Sequence, residues 1–408
     1  MKQFLLAGLI GLLACGAAVA CPFCNAQGTT LGAEFAGADM IVLATVDSAV
    51  RDAEDASKNT STLKIIKMLK PHPAFKDAKT LTVGRYITKG SKERDYQYIL
   101  FCYVYNDPKD VAAATVVSSA VFTNYRNVTV DAYRGDDIPE NSKLPDYLEA
   151  TQKLVNKPAV ERLAFYFDNL ESNELFISGD AYNEWGYAEY KDVRAVAPKL
   201  PTDTILKWMR DPATMGSRMG LYALLVGHSG KKEYAAELRK LLDMPDGKYG
   251  AGLDGLLAGY TLLDPQAGWD YLLGLAGDRK KDFLIRAAAL RSLRFFHDER
   301  PDVVKPEQLL LAYKQLLAQD DICDMAIDDL RKWKNFDLAD EILGYAEQES
   351  HSAGIVKRAM LKYALVAEAE TKNAKAKEYV AKARVANAKR VAQAEELLKD
   401  EDVKPVKK

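Results

Sequence analysis

The sequence predicts an α+β multidomain protein, a small β-barrel followed by an α-solenoid of stacked helix pairs. Three observations predict it. Between about residues 38 and 135 the apolar residues fall in short, β-branched, strand-like runs. From about residue 140 to 370 they recur with the 3.6-residue period of amphipathic helices. And 408 residues with 48% hydrophobic side chains exceed what one compact core needs. The 56 Lys and Arg against 58 Asp and Glu leave a formal net charge of -2, so no global field gathers nucleic acid or an anionic membrane.

The first element is residues 1–20. Lys2, the apolar run Phe4–Leu13 and the small residues Ala18-Val19-Ala20 have the form of a secretory signal peptide cut before Cys21. A mature protein outside the cytoplasm, secreted or in the cell envelope, is the expectation. Leu12-Leu13-Ala14-Cys15 also resembles a bacterial lipobox, and in that alternative Cys15 carries a lipid anchor. No later stretch approaches the roughly 20 apolar residues of a transmembrane helix.

Cleavage after Ala20 leaves Cys21, Cys24, Cys102 and Cys323 where disulfides persist. Cys21-Pro22-Phe23-Cys24 has three readings: a redox pair, a metal site or a structural staple. A thioredoxin-type pair sits at a helix N-terminus after a strand, where the dipole lowers the thiol pKa. A structural zinc site needs four ligands, and no second CxxC or paired His is present. The staple is favoured, with Cys102 as the preferred partner of Cys21 or Cys24. Cys323 reads as a buried free thiol.

Strands are expected over 38–50, 62–69, 80–87, 96–105 and 127–133, separated by segments rich in Gly, Asn, Asp, Pro and Lys. Five short strands in residues 21–137 suggest a small closed or nearly closed barrel. Tyr98, Leu100, Cys102 and Val104 alternate with Ile99, Phe101, Tyr103 and Tyr105, so both faces of that strand are apolar and it belongs in the middle of the sheet. With a Cys pair at the mature N-terminus, Ala38–Ala44, Leu63–Leu69 and Tyr98–Cys102 together resemble the netrin-like OB barrel of tissue inhibitors of metalloproteinases. The resemblance covers about a quarter of the chain. It implies an N-terminal Cys21 whose free amine and carbonyl could meet a protease zinc. The spacing departs from that family's CxC, and fold-level similarity does not by itself transmit function.

After Asp136–Glu140 the signal changes to the helical period, and residues 138–370 are expected to form the helical domain. Expected segments are 158–170, 175–185, 204–209, 219–226, 234–242, 253–263, 269–275, 285–296, 309–317, 322–333, 338–346 and 355–367. Pairs recurring every roughly 35–45 residues are the pattern of HEAT or armadillo arrays. The resemblance to HEAT repeats is sharpest at Asp282–Leu293, whose Ala287-Ala288-Ala289 would let neighbouring helices stack closely. It covers about half the chain and implies a concave surface that binds proteins or peptides. Residues 371–408 lose large apolar side chains and interleave Lys375, Lys377, Lys382, Arg384, Lys389 and Arg390 with alanines, reading as a solvated helix that fades into a disordered Lys404–Lys408.

Catalytic constellations are absent from the sequence. His72, His228, His297 and His351 are scattered, and His228 and His297 read as helix C-terminal residues. There is no G-x-S-x-G, phosphate-binding glycine loop or H-E-x-x-H. Asp320-Asp321 and Asp328-Asp329 read as caps and solvated positions, because adjacent helical residues diverge. The expected function is an exported, non-enzymatic scaffold or adaptor without cofactor, metal or nucleic acid, binding a protein or peptide through the helical part. Tyr187, Tyr190, Tyr222 and Tyr260 are its candidate contact aromatics. The alternative is a protease-inhibitor-like or thiol-redox role centred on Cys21–Cys24.

Overall fold

The computed structural model describes residues 21–89, 96–107, 109, 122–244 and 250–403. The expected leader with Cys15 and the Lys404–Lys408 end lie outside those residues. Contacts divide the chain into two compact units: residues 25–196 with Cys21, and residues from 197 onward with Pro22–Cys24.

The first unit is built on strands β1 (Met40–Val50), β2 (Thr60–Lys70), β3 (Thr80–Val83), β4 (Tyr96–Tyr105), β5 (Phe122–Tyr125) and β6 (Val128–Pro139). They pair antiparallel in the order β3-β2-β1-β4-β6-β5. Alternation sends Met40, Val42 and Ala44 of β1 and Leu100, Cys102 and Val104 of β4 into one core with Leu63, Leu81 and Val130. Register shifts between β1 and β2 mark bulges that let these long strands coil. The end strands approach each other, β3 coming close to β5 and β6. Phe75, from the turn between β2 and β3, stacks on Tyr125 of β5 with ring centroids 4.3 Å apart. The result is a nearly closed six-stranded barrel.

Strand β4 lies between β1 and β6, and its second face is buried too, with Ile99 and Phe101 at 0% and 1% exposure. Three features of the sheet differ from expectation, the first being that β3 ends at Val83 rather than running on to residue 87. Strand β5 was not foreseen. And β6 runs on through Asp136–Pro139, past the expected end of that strand at residue 133: Ile138 is buried opposite Gln97, while Asp136 accepts from Arg134 two residues away on the same face.

Helices α1 (Leu31–Gly37), α2 (Leu144–Leu154), α3 (Ala159–Asn169), α4 (Leu175–Gly186) and α5 (Tyr190–Val196) complete this unit. Three of them meet at a buried carboxylate. Asp180 of α4 accepts the Leu31 backbone N–H at 2.6 Å and the Tyr147 hydroxyl of α2 at 2.7 Å. Burial outweighs those two bonds and pushes the Asp180 carboxyl up to about 6.

The second unit holds α6 (Thr202–Arg210), α7 (Met219–Gly227), α8 (Ala235–Leu242), α9 (Leu253–Leu263), α10 (Pro265–Gly277), α11 (Phe283–Glu299), α12 (Pro306–Leu317), α13 (Cys323–Lys332), α14 (Ala339–Gly344), α15 (Gly354–Thr371) and α16 (Ala374–Val403). Every segment expected here is helical, and some start at readable signals: Asp264 caps α10 through the Ala267 N–H, with Pro265 in the first turn. Helix α7 is buried along its whole length. It meets α9 at backbone distance, because a Cβ on Gly255 would stand 2.4 Å from the Gly220 Cα, and one on Gly259 would stand 2.2 Å from the Ala223 carbonyl oxygen.

A series of polar links joins side chains roughly one helix pair apart. Arg291 holds Asp254, Arg286 grips Asp321 with two nitrogens, Arg294 donates its Nε–H to both carboxylate oxygens of Asp329, and His351 Nε2 lies 3.0 Å from the Leu317 carbonyl oxygen. Sequence separations in this series run from 34 to 37 residues. The pair Asp328-Asp329 is thus not solvated as expected: Asp329 is buried, and also accepts from the Tyr313 hydroxyl at 2.9 Å.

Candidate functional site

Helix α16 is not one rod. Asn387 has φ -162° and ψ 83°, which breaks the helix, and its side chain accepts the Arg390 N–H at 3.0 Å to start the second half. Arg384 then reaches Glu395 at 2.9 Å, a contact between residues that a continuous helix would hold about 16 Å apart. The two halves form a hairpin. Glu401 near its end accepts from Arg331 of α13 and Lys362 of α15, and those two cations hold its carboxyl below the usual range despite burial. Ala376, Val380, Val391 and Ala394 are buried along its inner side. The expected solvated helix is therefore a docked hairpin, because its small apolar residues keep a stripe even where large ones are missing.

The hairpin, α14 and α15 enclose a groove of about 570 Å³. Its floor is aliphatic, with Leu343, Leu361 and Val391 each at most 5% exposed. Its walls carry four cations, Lys357, Lys375, Lys382 and Arg390, against two carboxylates, Glu347 and Glu378. Lys382 pairs with Glu378 at 2.8 Å, and Lys375 donates to the Asp340 carbonyl at 2.6 Å. No acidic group among the described residues pairs with Lys357 or Arg390. Arg390 instead lies close enough to Tyr379 to favour its phenolate, against a larger opposing effect of burial. A volume of this size is in the range of about 300–1,000 Å³ typical of ligand clefts. Chemically the groove can hold an anion beside an apolar group; it presents no nucleophile paired with a base.

The structure scatters the other residues singled out by sequence. Cys21 and Cys24 are both disulfide-bonded, and with Cys102 and Cys323 free they are bonded to each other. The preferred pairing to Cys102 is corrected: that side chain points into the barrel core at 0% exposure, while the Cys21 backbone N–H donates to the Gly186 carbonyl at the end of α4. Burial pushes both free thiols up to about 12. Of the candidate contact aromatics, Tyr190, Tyr222 and Tyr260 are buried, and Tyr187 is 48% exposed but donates its hydroxyl to the Gly28 carbonyl. His228 follows α7 as its C-cap, and His297 sits in the last turn of α11, stacked 3.6 Å from Trp333. Among the described residues no group of three or more His, Cys, Asp or Glu side chains could hold a metal ion, and no helix is long and apolar enough to cross a membrane.

Sequence reasoning named Lys375, Lys382 and Arg390 but not their convergence. The readable signal was Asn387, a helix-capping residue set inside an alanine-rich run. No protein family, curated protein or solved structure matches the chain.

Proposed function

We propose that this protein is an exported, non-enzymatic adaptor that holds a protein partner, with the groove formed by α14, α15 and α16 as the seat. One observation carries this reading: an apolar floor opens between three helices beneath two cations, Lys357 and Arg390, that no carboxylate among the described residues pairs with and that no backbone carbonyl holds as one holds Lys375. The polar links at 34–37 residues support reading the helical stretch as a HEAT-like array, since in such arrays each helix pair is fixed mainly by its neighbours. The barrel's closure supports a netrin- or OB-like reading, and its role is a second contact surface. Export rests on the leader pattern of residues 1–20, with lipid attachment at Cys15 as the alternative.

The test is isolation of the tagged full-length protein from the cell envelope, with copurifying chains quantified and identified. A stoichiometric partner is expected, and it should be lost from Lys357→Glu/Arg390→Glu protein that melts at the wild-type temperature. A partner retained by that variant would move the seat elsewhere, and a monodisperse protein with no partner under mild extraction would sink the adaptor reading.

A metalloproteinase-inhibitor role is less favoured, because the Cys21 nitrogen that would meet zinc is engaged by Gly186 and Cys21 is only 4% exposed. Thiol–disulfide exchange is the second reading, supported by the Cys21–Cys24 bond and the partial exposure of Cys24. A reduction potential well below that of the glutathione pool would mark the bond as structural.

A further inference from the structure

We propose that the groove selects a partner segment that carries an Asp or Glu side chain next to a bulky apolar one, the carboxylate meeting Lys357 and Arg390 and the apolar group resting on Leu361 and Val391. This rests on the adaptor reading and adds the chemistry of what is held. Charge complementarity is the ground for it. Two of the four wall cations are already satisfied, Lys382 by Glu378 and Lys375 by a backbone carbonyl. The other two come from separate elements, Lys357 from the first turn of α15 and Arg390 from the start of the second half of α16, and both face the same cavity. Holding like charges around one concave, partly apolar surface is unfavourable until an anion enters, since the low-dielectric walls strengthen their mutual repulsion.

The floor narrows the choice further. A simple inorganic anion would satisfy the cations but leave Leu343, Leu361 and Val391 against water. A neutral apolar group would cover the floor and leave the charges unmet. An acidic–apolar segment satisfies both, and neighbouring positions one helical turn apart on such a segment lie about 5–6 Å from each other, a spacing that lets one ligand helix present both groups together. Arg390 is exposed and Lys357 half-buried, so a ligand can reach them without the hairpin opening.

The test pans the full-length protein against a displayed library of random short peptides and measures the winners by titration. Enrichment of Asp or Glu beside Leu, Ile, Val or Phe is expected. Replacing that acid by its amide, or changing the protein to Lys357→Gln/Arg390→Gln, should each weaken binding roughly tenfold, about 1.4 kcal/mol. Raising the salt should weaken it as well. Winners without acid enrichment, or acidic winners indifferent to the double variant, would overturn this inference and leave an adaptor with a different seat. If no peptide is enriched and laurate binds in a manner lost with the double variant, the groove is a site for small amphiphiles, and both this inference and the adaptor reading at this groove fall.

Discussion

Adding one methyl group to a helix normally stabilises it, yet at Gly255 it should do the reverse. Glycine in a helix interior costs about 1 kcal/mol relative to alanine, so Gly→Ala is a gain wherever the methyl has room. At Gly255 it has none: the new Cβ would sit 2.4 Å from the Gly220 Cα and 2.5 Å from the Gly220 carbonyl oxygen, and both are backbone atoms that cannot rotate aside. Restoring ordinary contact requires α7 and α9 to separate by more than 1 Å along a crossing where both helices are buried, and overpacking of this kind costs about 1–3 kcal/mol or more. Because the clash is with backbone, the upper half of that range applies, and after subtracting the propensity gain Gly255→Ala should lose about 1–2 kcal/mol. Gly274 on α10 is the matched control, because a Cβ built there meets nothing within 4 Å. Gly274→Ala should gain about 0.5–1 kcal/mol. Thermal melting followed by circular dichroism reads both, with each kcal/mol worth about 2–4 °C for a unit of this size. If Gly255→Ala melts at or above the wild type, the close approach of α7 and α9 is not as described.

Three further outcomes are expected. Asp180 has its carboxyl raised to about 6 by burial from an ordinary value of 3.8, so the unfolded chain ionises first as pH rises; the barrel unit should therefore lose stability between about pH 4 and 6. Besides Tyr147, the groups facing Asp180 are Glu184 and Arg134, and Asp180→Asn should flatten the slope of melting temperature over that window, whereas an unchanged slope would place the titration elsewhere. Removing the carboxylate in Asp329→Ala strands Arg294 and the buried Tyr313 hydroxyl; about 3 kcal/mol should be lost, at the low end for a broken buried pair because the Arg294 side chain is 33% exposed. Denaturant unfolding measures it, and a loss under about 1 kcal/mol would show the pair to be dispensable. Finally, iodoacetamide at mildly alkaline pH should leave native, unreduced protein unlabelled and should modify Cys102 and Cys323 once the chain is unfolded, since burial keeps both as thiols; labelling of Cys102 in the native state would mean that the barrel opens.

The barrel was legible where a strand has two apolar faces. Strand β4 declares itself because Ile99 and Phe101 are buried on one side while Leu100 and Cys102 are buried on the other. Strand β5 did not, because four residues are too few to show a period. The end of β6 was misjudged because Asp136 and Asp137 look like turn residues until the outward face of the strand supplies Arg134 as a partner. Helix α2 escaped notice behind the Pro145 of its own first turn, where proline is tolerated. Helices α7 and α9 were found by their period, yet Tyr222 and Tyr260, named as candidate contact aromatics, are buried; a helix buried on every side has no polar stripe from which to tell inside from outside. The groove was hidden for a different reason. Its residues are contributed by segments as far apart as Leu343 and Val391, and Glu401 finds Lys362 at a separation of 39 residues. Local periodicity carries no information about such meetings.

The C-terminal hairpin also bears on where the helical stacking stops. Its inner stripe is made of short side chains, Ala376, Val380, Val391 and Ala394, and its outer surface is mostly Lys, Arg, Glu and exposed alanine. Such a surface satisfies α15 on one side and, apart from Val385 and Leu397, offers few apolar side chains for another helix to settle on. A chain ended at Thr371 would bare the face of α15 that packs on α16 and leave Arg331 and Lys362 without Glu401. Self-association of that shortened chain by light scattering, beside a monodisperse full-length protein, is what this role as an end-stop demands.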